Sequence, residues 1–409
     1  MITRRIFLKD GALALVSLGF APTFLARTLE ASSGRQKVLI TIFQRGAVDG
    51  LNMVVPFGER DYYAARPSIA IRRPGGEGTA LDLDGFFGLH PRMQPLKPLW
   101  DAGHLAVVHA CGSHDDTRSH FDAQDYMESA TPGVKSTPDG WLNRYLHAKE
   151  HQKATPFRAV AFARQLPRAL QGTAPALAIG QIGQFGIRAG QDSDMAQASF
   201  EAEYAAAANS VLHATAREAF DAVRLMKGAD PQKYSPANGA DYPRSPFGDA
   251  LKQIAQLVKA DIGLEIAFAE SGNWDHHANE GAAVGILANR LDDLSRGIAA
   301  LVRDLGDRMS DVVVLTMSEF GRAVAENGAR GTDHGHGNAM LVLGGGVRGR
   351  RVYGTWPGLA REVRYEGRDL AITTDFRAVF NEVVRGHLAL NDTSRVFPGF
   401  TGKERLGLF

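Results

Sequence analysis

The sequence predicts an α/β fold, with a mostly parallel central sheet flanked by helices on both faces. Three observations carry that prediction. Short apolar runs rich in β-branched residues recur at 37–43, 105–110, 312–316 and 340–346, as strands covered on both faces require. Between two strand-like segments lies a helix-period stretch, 281–305, with Val284, Leu287, Leu291, Leu294, Ile298 and Leu301 at helical spacing. Asp, Glu and His residues follow these runs at once, and the carboxyl ends of strands are where open α/β sheets present functional groups.

Composition bounds the function. A chain of 409 residues that is 44% hydrophobic can bury a large core. Its 46 Lys and Arg nearly balance 45 Asp and Glu, so no global field argues for a nucleic-acid partner. Cys111 is the single cysteine, which excludes an intrachain disulfide framework and a cysteine-rich metal site. At the end of an apolar strand it reads as an inert buried thiol.

The amino terminus has the pattern of a twin-arginine export signal: Arg4 and Arg5, then Phe7 and Leu8, then a moderately apolar stretch over 11–26. That stretch is broken by Pro22 and falls short of the roughly 20 residues a membrane span needs. We therefore expect a cleaved signal over 1–33, with small residues near Ala26 and Ala31 offering cut sites. A periplasmic protein follows, with the twin-arginine translocase as a partner during export and no stable membrane span once mature. Residues 34–409 form a single domain with insertions around 56–100 and 150–247.

The first strand, 37–43, leads into Gln44 to Asn52, where Asp49 is either a metal ligand at a strand end or the Asp of an Asp-Gly turn. A short hairpin or surface loop is expected over 82–90. After the run at 105–110, Ser119 stands before a helix start with Asp122 three residues on, an N-cap arrangement. A hydroxyl there suits a nucleophile attacking phosphate or sulfate, with Arg118 to clamp an oxyanion; Thr117 and Ser113 are alternative hydroxyls. Of His109, His114 and His120, one is expected to matter. Further on, 157–163 reads as a strand, 194–226 and 248–259 as helices, and 347–353 as a solvated hairpin. The pair Thr374 and Asp375 caps a helix over 376–387.

The chemistry concentrates at 262–337. A strand over 262–270 is followed by Trp274, Asp275, His276 and His277, then the 281–305 helix, then the strand at 312–316 with Ser318 and Glu319 at its end. A right-handed strand-helix-strand unit makes the two strands parallel and usually close, with carboxyl ends on one side. Asp275 and His276 or His277 can then meet Glu319 and the Gly-rich loop that carries Asp333, His334 and His336.

With the twin-arginine start, the segments 45–52, 118–128, 274–277, 318–322 and 331–338 together resemble the bacterial domain-of-unknown-function family numbered 1501, over essentially the whole mature chain. That family is grouped with the alkaline phosphatase and sulfatase superfamily, so the resemblance implies an alkaline phosphatase-like fold and a metal site at the strand ends. It further implies Asp49 as a first-strand ligand, Ser119 or Thr117 as nucleophile, Asp275 with His277 as paired ligands, and Glu319, His334 and His336 at the remaining ligand positions. Two departures stand out: Phe320 occupies a ligand His position, and Asp275 and His277 are closer together than the superfamily's helical spacing; the Cys/Ser-x-Pro-x-Arg formylglycine pattern is also absent. The expected function is an exported hydrolase of phosphate or sulfate esters. It would use a divalent metal (zinc, manganese or calcium) and act on a small-molecule or polymeric ester, with Ser119, Arg118 and His120 as catalytic residues. The alternative, prompted by Phe320, is a non-catalytic binding or assembly protein of the same fold.

Overall fold

The computed structural model describes residues 15–17, 35–149, 155, 157–182, 234–401 and 405–409. The helix expected over 194–226 lies outside these, and so does the export segment apart from Leu15–Ser17.

Thirteen strands are described: β1 (Leu15–Ser17), β2 (Val38–Gln44), β3 (Val54–Val55), β4 (Leu81–Asp82), β5 (Gly88–Leu89), β6 (Leu105–Gly112), β7 (Ala159–Phe162), β8 (Ala176–Ala178), β9 (Ile266–Ser271), β10 (Val312–Met317), β11 (Asn338–Gly344), β12 (Arg351–Tyr353) and β13 (Thr374–Asp375). Ten of them form one sheet in the order β1-β8-β7-β9-β2-β10-β11-β6-β12, with β13 also pairing with β6. From β8 to β10 every pairing is parallel, while β11 runs antiparallel to both its neighbours. The remaining strands, β3, β5 and β4, make a small antiparallel sheet whose β4–β5 pair is the expected hairpin.

Both faces of the large sheet are covered, which explains why its strands read as nearly unbroken apolar runs. Alternation along β2 divides the core in two. Val38, Ile40 and Ile42 pack with Leu251, Ile254, Leu287, Leu291 and Leu294 from the helices Pro246–Ala260 and Ile286–Leu305. Leu39 and Phe43 face the other way, toward Trp141, Leu142, Phe376 and Phe380 from the helices Trp141–Ala148 and Phe376–Gly386. Asp375 caps the last of these, accepting from the Arg377 amide. Cys111 is buried in the second core, as its place at a strand end predicts. No helix among the described residues is long and apolar enough to cross a membrane.

Three local differences from expectation have physical causes. The helix expected from 281 starts at Ile286, because Gly281 and Gly285 hold φ of 84° and 130° and keep the preceding turn open. Strands β9 and β10 are parallel but not adjacent, since β2 inserts between them and pairs with both. Arg351–Tyr353, expected in a solvated hairpin, adds to the sheet parallel to β6 instead.

Leu291 lies on the buried face of its helix, fully enclosed. Leu291→Ala should lower unfolding stability by about 2–5 kcal/mol in urea denaturation, more than Asn289→Ala at an exposed position of the same helix.

Candidate metal centre

Strands β2, β6, β9 and β10 all point one way, so the segments that follow them emerge at one edge of the sheet, and the loop entering β11 arrives there too. Register keeps these ends level: Gln44 pairs with Ser271, Phe43 with Met317, and Cys111 with Asn338. The segments bring Gly46, His120, Asp275, His277, Glu319 and His334 together.

At the centre is His334. Its Nε2 lies 3.0 Å from His120 Nε2, 2.9 Å from His277 Nε2 and 3.3 Å from Asp275 Oδ1. Asp275 Oδ1 is also 3.0 Å from His277 Nε2, and its Oδ2 is 3.4 Å from His120 Nε2. Each imidazole turns its other nitrogen toward an oxygen. His120 Nδ1 lies 2.9 Å from Glu319 Oε1, His334 Nδ1 lies 2.8 Å from the Arg118 carbonyl, and His277 Nδ1 lies 3.3 Å from Asp333 Oδ1. Those acceptors place the proton of each neutral ring on Nδ1 and leave the Nε2 lone pairs facing inward. Lone pairs at such distances, with a carboxylate among them, repel unless a cation lies between them. His120, Asp275 and His334 thus form a group able to hold a metal ion, and His277 borders it.

The loop carrying His334 is Gly-rich because neighbouring backbone leaves no room for side chains. A Cβ on Gly331 would come within 2.3 Å of the His277 carbonyl carbon, and one on Gly335 within 2.3 Å of that of Arg322.

A second layer orients the first. Glu319, buried, accepts from the Gly46 amide at 2.8 Å and from Gln124 Nε2 at 2.8 Å as well as from His120. Burial works against its charge, but these hydrogen bonds, that of His120 foremost, hold its pKa below the usual glutamate range. The same bond raises the pKa of His120, whereas burial lowers that of His334. Arg322 donates to Asp275 Oδ1 at 2.6 Å and to the carbonyls of Gly46, Ala47, Trp274 and Thr332. Burial raises the Asp275 pKa, but Arg322 outweighs it and brings the value down to about 2. Asp275 is therefore a carboxylate at any ordinary pH.

Not every expected residue joins the group. Asp49, expected as a ligand, is instead locked in a buried pair with Arg66, at 2.5 Å and 3.0 Å, and it caps the short helix Gly50–Met53 through the Leu51 amide. Glu319 and Asp333 stand behind the imidazoles, not at the centre. His336 stacks on Tyr365, with ring centroids 4.0 Å apart, away from the group. His120, expected as catalytic, instead joins the group that could hold a metal ion. Ser119 is the N-cap residue of the helix His120–Ser129, yet its hydroxyl makes no capping bond. The Arg118 guanidinium is engaged by Glu366 and Asp369 at 2.6 Å and 2.8 Å. His109 serves structure, its Nε2 lying 3.0 Å from the Val54 carbonyl. Phe320 lines the group, its ring 4.9 Å from that of His120 and 5.1 Å from that of His334. Sequence reasoning gave Arg322 no role; the signal was an arginine five residues past the end of β10, in the segment that also carries Ser318 and Glu319.

Residues 36–382 match the family described as "Protein of unknown function (DUF1501)". The chain belongs to this family. No curated protein matches it. Among solved structures, one titled "Structure of PH0037 protein from Pyrococcus horikoshii" aligns over 77% of this chain and 87% of its own, at 12% identity and a TM-score of 0.31, which does not define a shared fold.

Arg66 is fully buried and its guanidinium is spent on Asp49, Asn52 and the carbonyls of Ala323 and Val324. Arg66→Ala leaves Asp49 as an unpaired buried charge and should cost about 3–5 kcal/mol of unfolding stability, while Arg66→Met with Asp49→Leu should recover most of it.

Proposed function

We propose that the protein is an exported, metal-dependent hydrolase of phosphate or sulfate esters on an alkaline phosphatase-like sheet, working at the His120, Asp275, His277 and His334 group. One observation carries the reading: three Nε2 lone pairs and a carboxylate converge, with every Nδ1 tied to an oxygen acceptor. This is how metal-binding histidines are oriented in proteins. The donor set suits zinc or manganese. Calcium, which takes six to eight oxygen ligands, does not suit three imidazoles.

A divalent ion held there supplies Lewis acidity, neutralising charge on the ester and lowering the pKa of the attacking hydroxyl. The chain supplies the rest. Glu319 and Asp333 fix His120 and His277, Arg322 lowers the pKa of Asp275, and Phe320 walls one side of the group. Ser119, one residue before His120 and free of a capping bond, is the hydroxyl we assign to attack phosphorus or sulfur and expel the alcohol; a water molecule is the alternative nucleophile. Arg118 acts through its carbonyl, which holds His334. Since Phe320 packs against two imidazoles, its presence in a ligand position supports a shaped site over the non-catalytic alternative.

Metal analysis of purified protein should find about one zinc or manganese per chain, stripped by chelator together with turnover of aryl phosphate or aryl sulfate. His334→Ala and Asp275→Ala should each weaken metal binding measurably and abolish turnover, whereas Asp49→Asn should keep the metal and lose stability. Full turnover in the first two variants would remove this site from the chemistry. Export is tested separately: replacing Arg4 and Arg5 with lysine should leave the protein in the cytoplasm, and continued periplasmic delivery would refute twin-arginine transport.

A further inference from the structure

His334 is the imidazole on which the group converges, yet it lies on a loop, joined to the fold by an isolated bridge with Arg322. A ligand must be held to within about half an ångström to be useful, and loops rarely manage that unaided. Two arginines embrace it. The Arg118 carbonyl takes the His334 Nδ1 proton at 2.8 Å, and Arg368 Nη2 donates to the His334 carbonyl. Both come from other loops and their side chains are 30% and 45% exposed, so neither is fixed by packing. What they share is Asp369. Its Oδ2 accepts from Arg118 Nη2 at 2.8 Å and its Oδ1 from Arg368 Nε at 2.8 Å, and its side chain is wholly buried. The Asp369 backbone is itself pinned, bonded in both directions to Tyr365 and bridged to Ala323.

We infer that Asp369 is a positioning residue for the metal ligand His334, closing a clasp of Asp369, Arg118 and Arg368 around that loop. Only a carboxylate does this, because it offers acceptors on both oxygens. An asparagine would turn an NH2 toward one guanidinium. Glu366 provides an internal comparison: it binds the same Arg118 at 2.6 Å, but it is 55% exposed and, among the described residues, forms no hydrogen bond with Arg368 or His334. Its share should be small, as for other exposed ion pairs.

The inference rests on the metal reading above, and the test separates the two. Zinc affinity of the full chain is measured by competition with a chromogenic chelator, with thermal unfolding followed alongside. Asp369→Asn should weaken zinc binding by about 10–100-fold, and Glu366→Gln by no more than about threefold. In a His334→Ala background Asp369→Asn should have no further effect, while in a His277→Ala background it should keep its full effect. Wild-type affinity in Asp369→Asn, or an undiminished loss without His334, overturns the assignment. Should Asp369→Asn unfold, Arg368→Gln, which opens one arm of the clasp, is read in the same way. If the wild type takes up neither zinc nor manganese, the metal reading falls and Asp369 is judged by imidazole nitrogen NMR. A slowly exchanging His334 Nδ1 proton that is lost in Asp369→Asn supports the clasp, and one that persists overturns it.

Discussion

The site depends on one buried cation. Arg322, almost wholly enclosed, spends its guanidinium on four backbone carbonyls and one carboxylate: Gly46 and Ala47 after β2, Trp274 and Asp275 after β9, and Thr332 at the start of the His334 loop. A charge taken out of water survives only if its donors are met, so the three loops must stay where they meet them. Sheet topology brings the segments to one edge; Arg322 sets their spacing there. It also bears on the charge of Asp275, where burial raises the carboxyl's pKa and Arg322 outweighs it.

Around this centre the polar groups are arranged in layers. Imidazoles and one carboxylate face inward, and behind them Glu319, Asp333 and the Arg118 carbonyl each take an Nδ1 proton. A third layer supports the second: Gln124 and the Gly46 amide on Glu319, Asn327 on Asp333, Asp369 on Arg118. Gln124 in turn accepts from Arg45, whose ion pairs with Glu128 and Glu270 join the helix His120–Ser129 to the end of β9. Such depth is costly in conformational entropy and desolvation. It is what fixes a set of tautomers in a place where free imidazoles would turn away from one another.

Asp49 and Arg66 show the same physics used for structure alone. Asp49 stands at a strand end beside glycine, as a ligand would, yet a guanidinium 17 residues on claims both its oxygens. Glu280 lies close enough for burial and the charge of Asp49 to push its pKa well above the ordinary range, while Arg66 outweighs burial at Asp49 and holds that pKa below it. A sequence shows the aspartate and its turn; it does not show which cation arrives.

Much of the fold was legible because burial on both faces of a sheet writes itself locally. The apolar runs of β2, β6, β10 and β11, and the helical spacing of Leu287, Leu291, Leu294, Ile298 and Leu301, follow from solvent exclusion along short stretches of chain. Asp275, His277 and His334 were visible for a related reason, since each follows a strand end or precedes a strand start at one edge. Tertiary structure alone decided the rest. Whether His120 or Ser119 points into the site, whether Asp49 meets an arginine, and which of His334 and His336 joins the group are set by side-chain directions and by partners up to 251 residues apart. Those are properties of packed loops, whose conformations no local periodicity specifies.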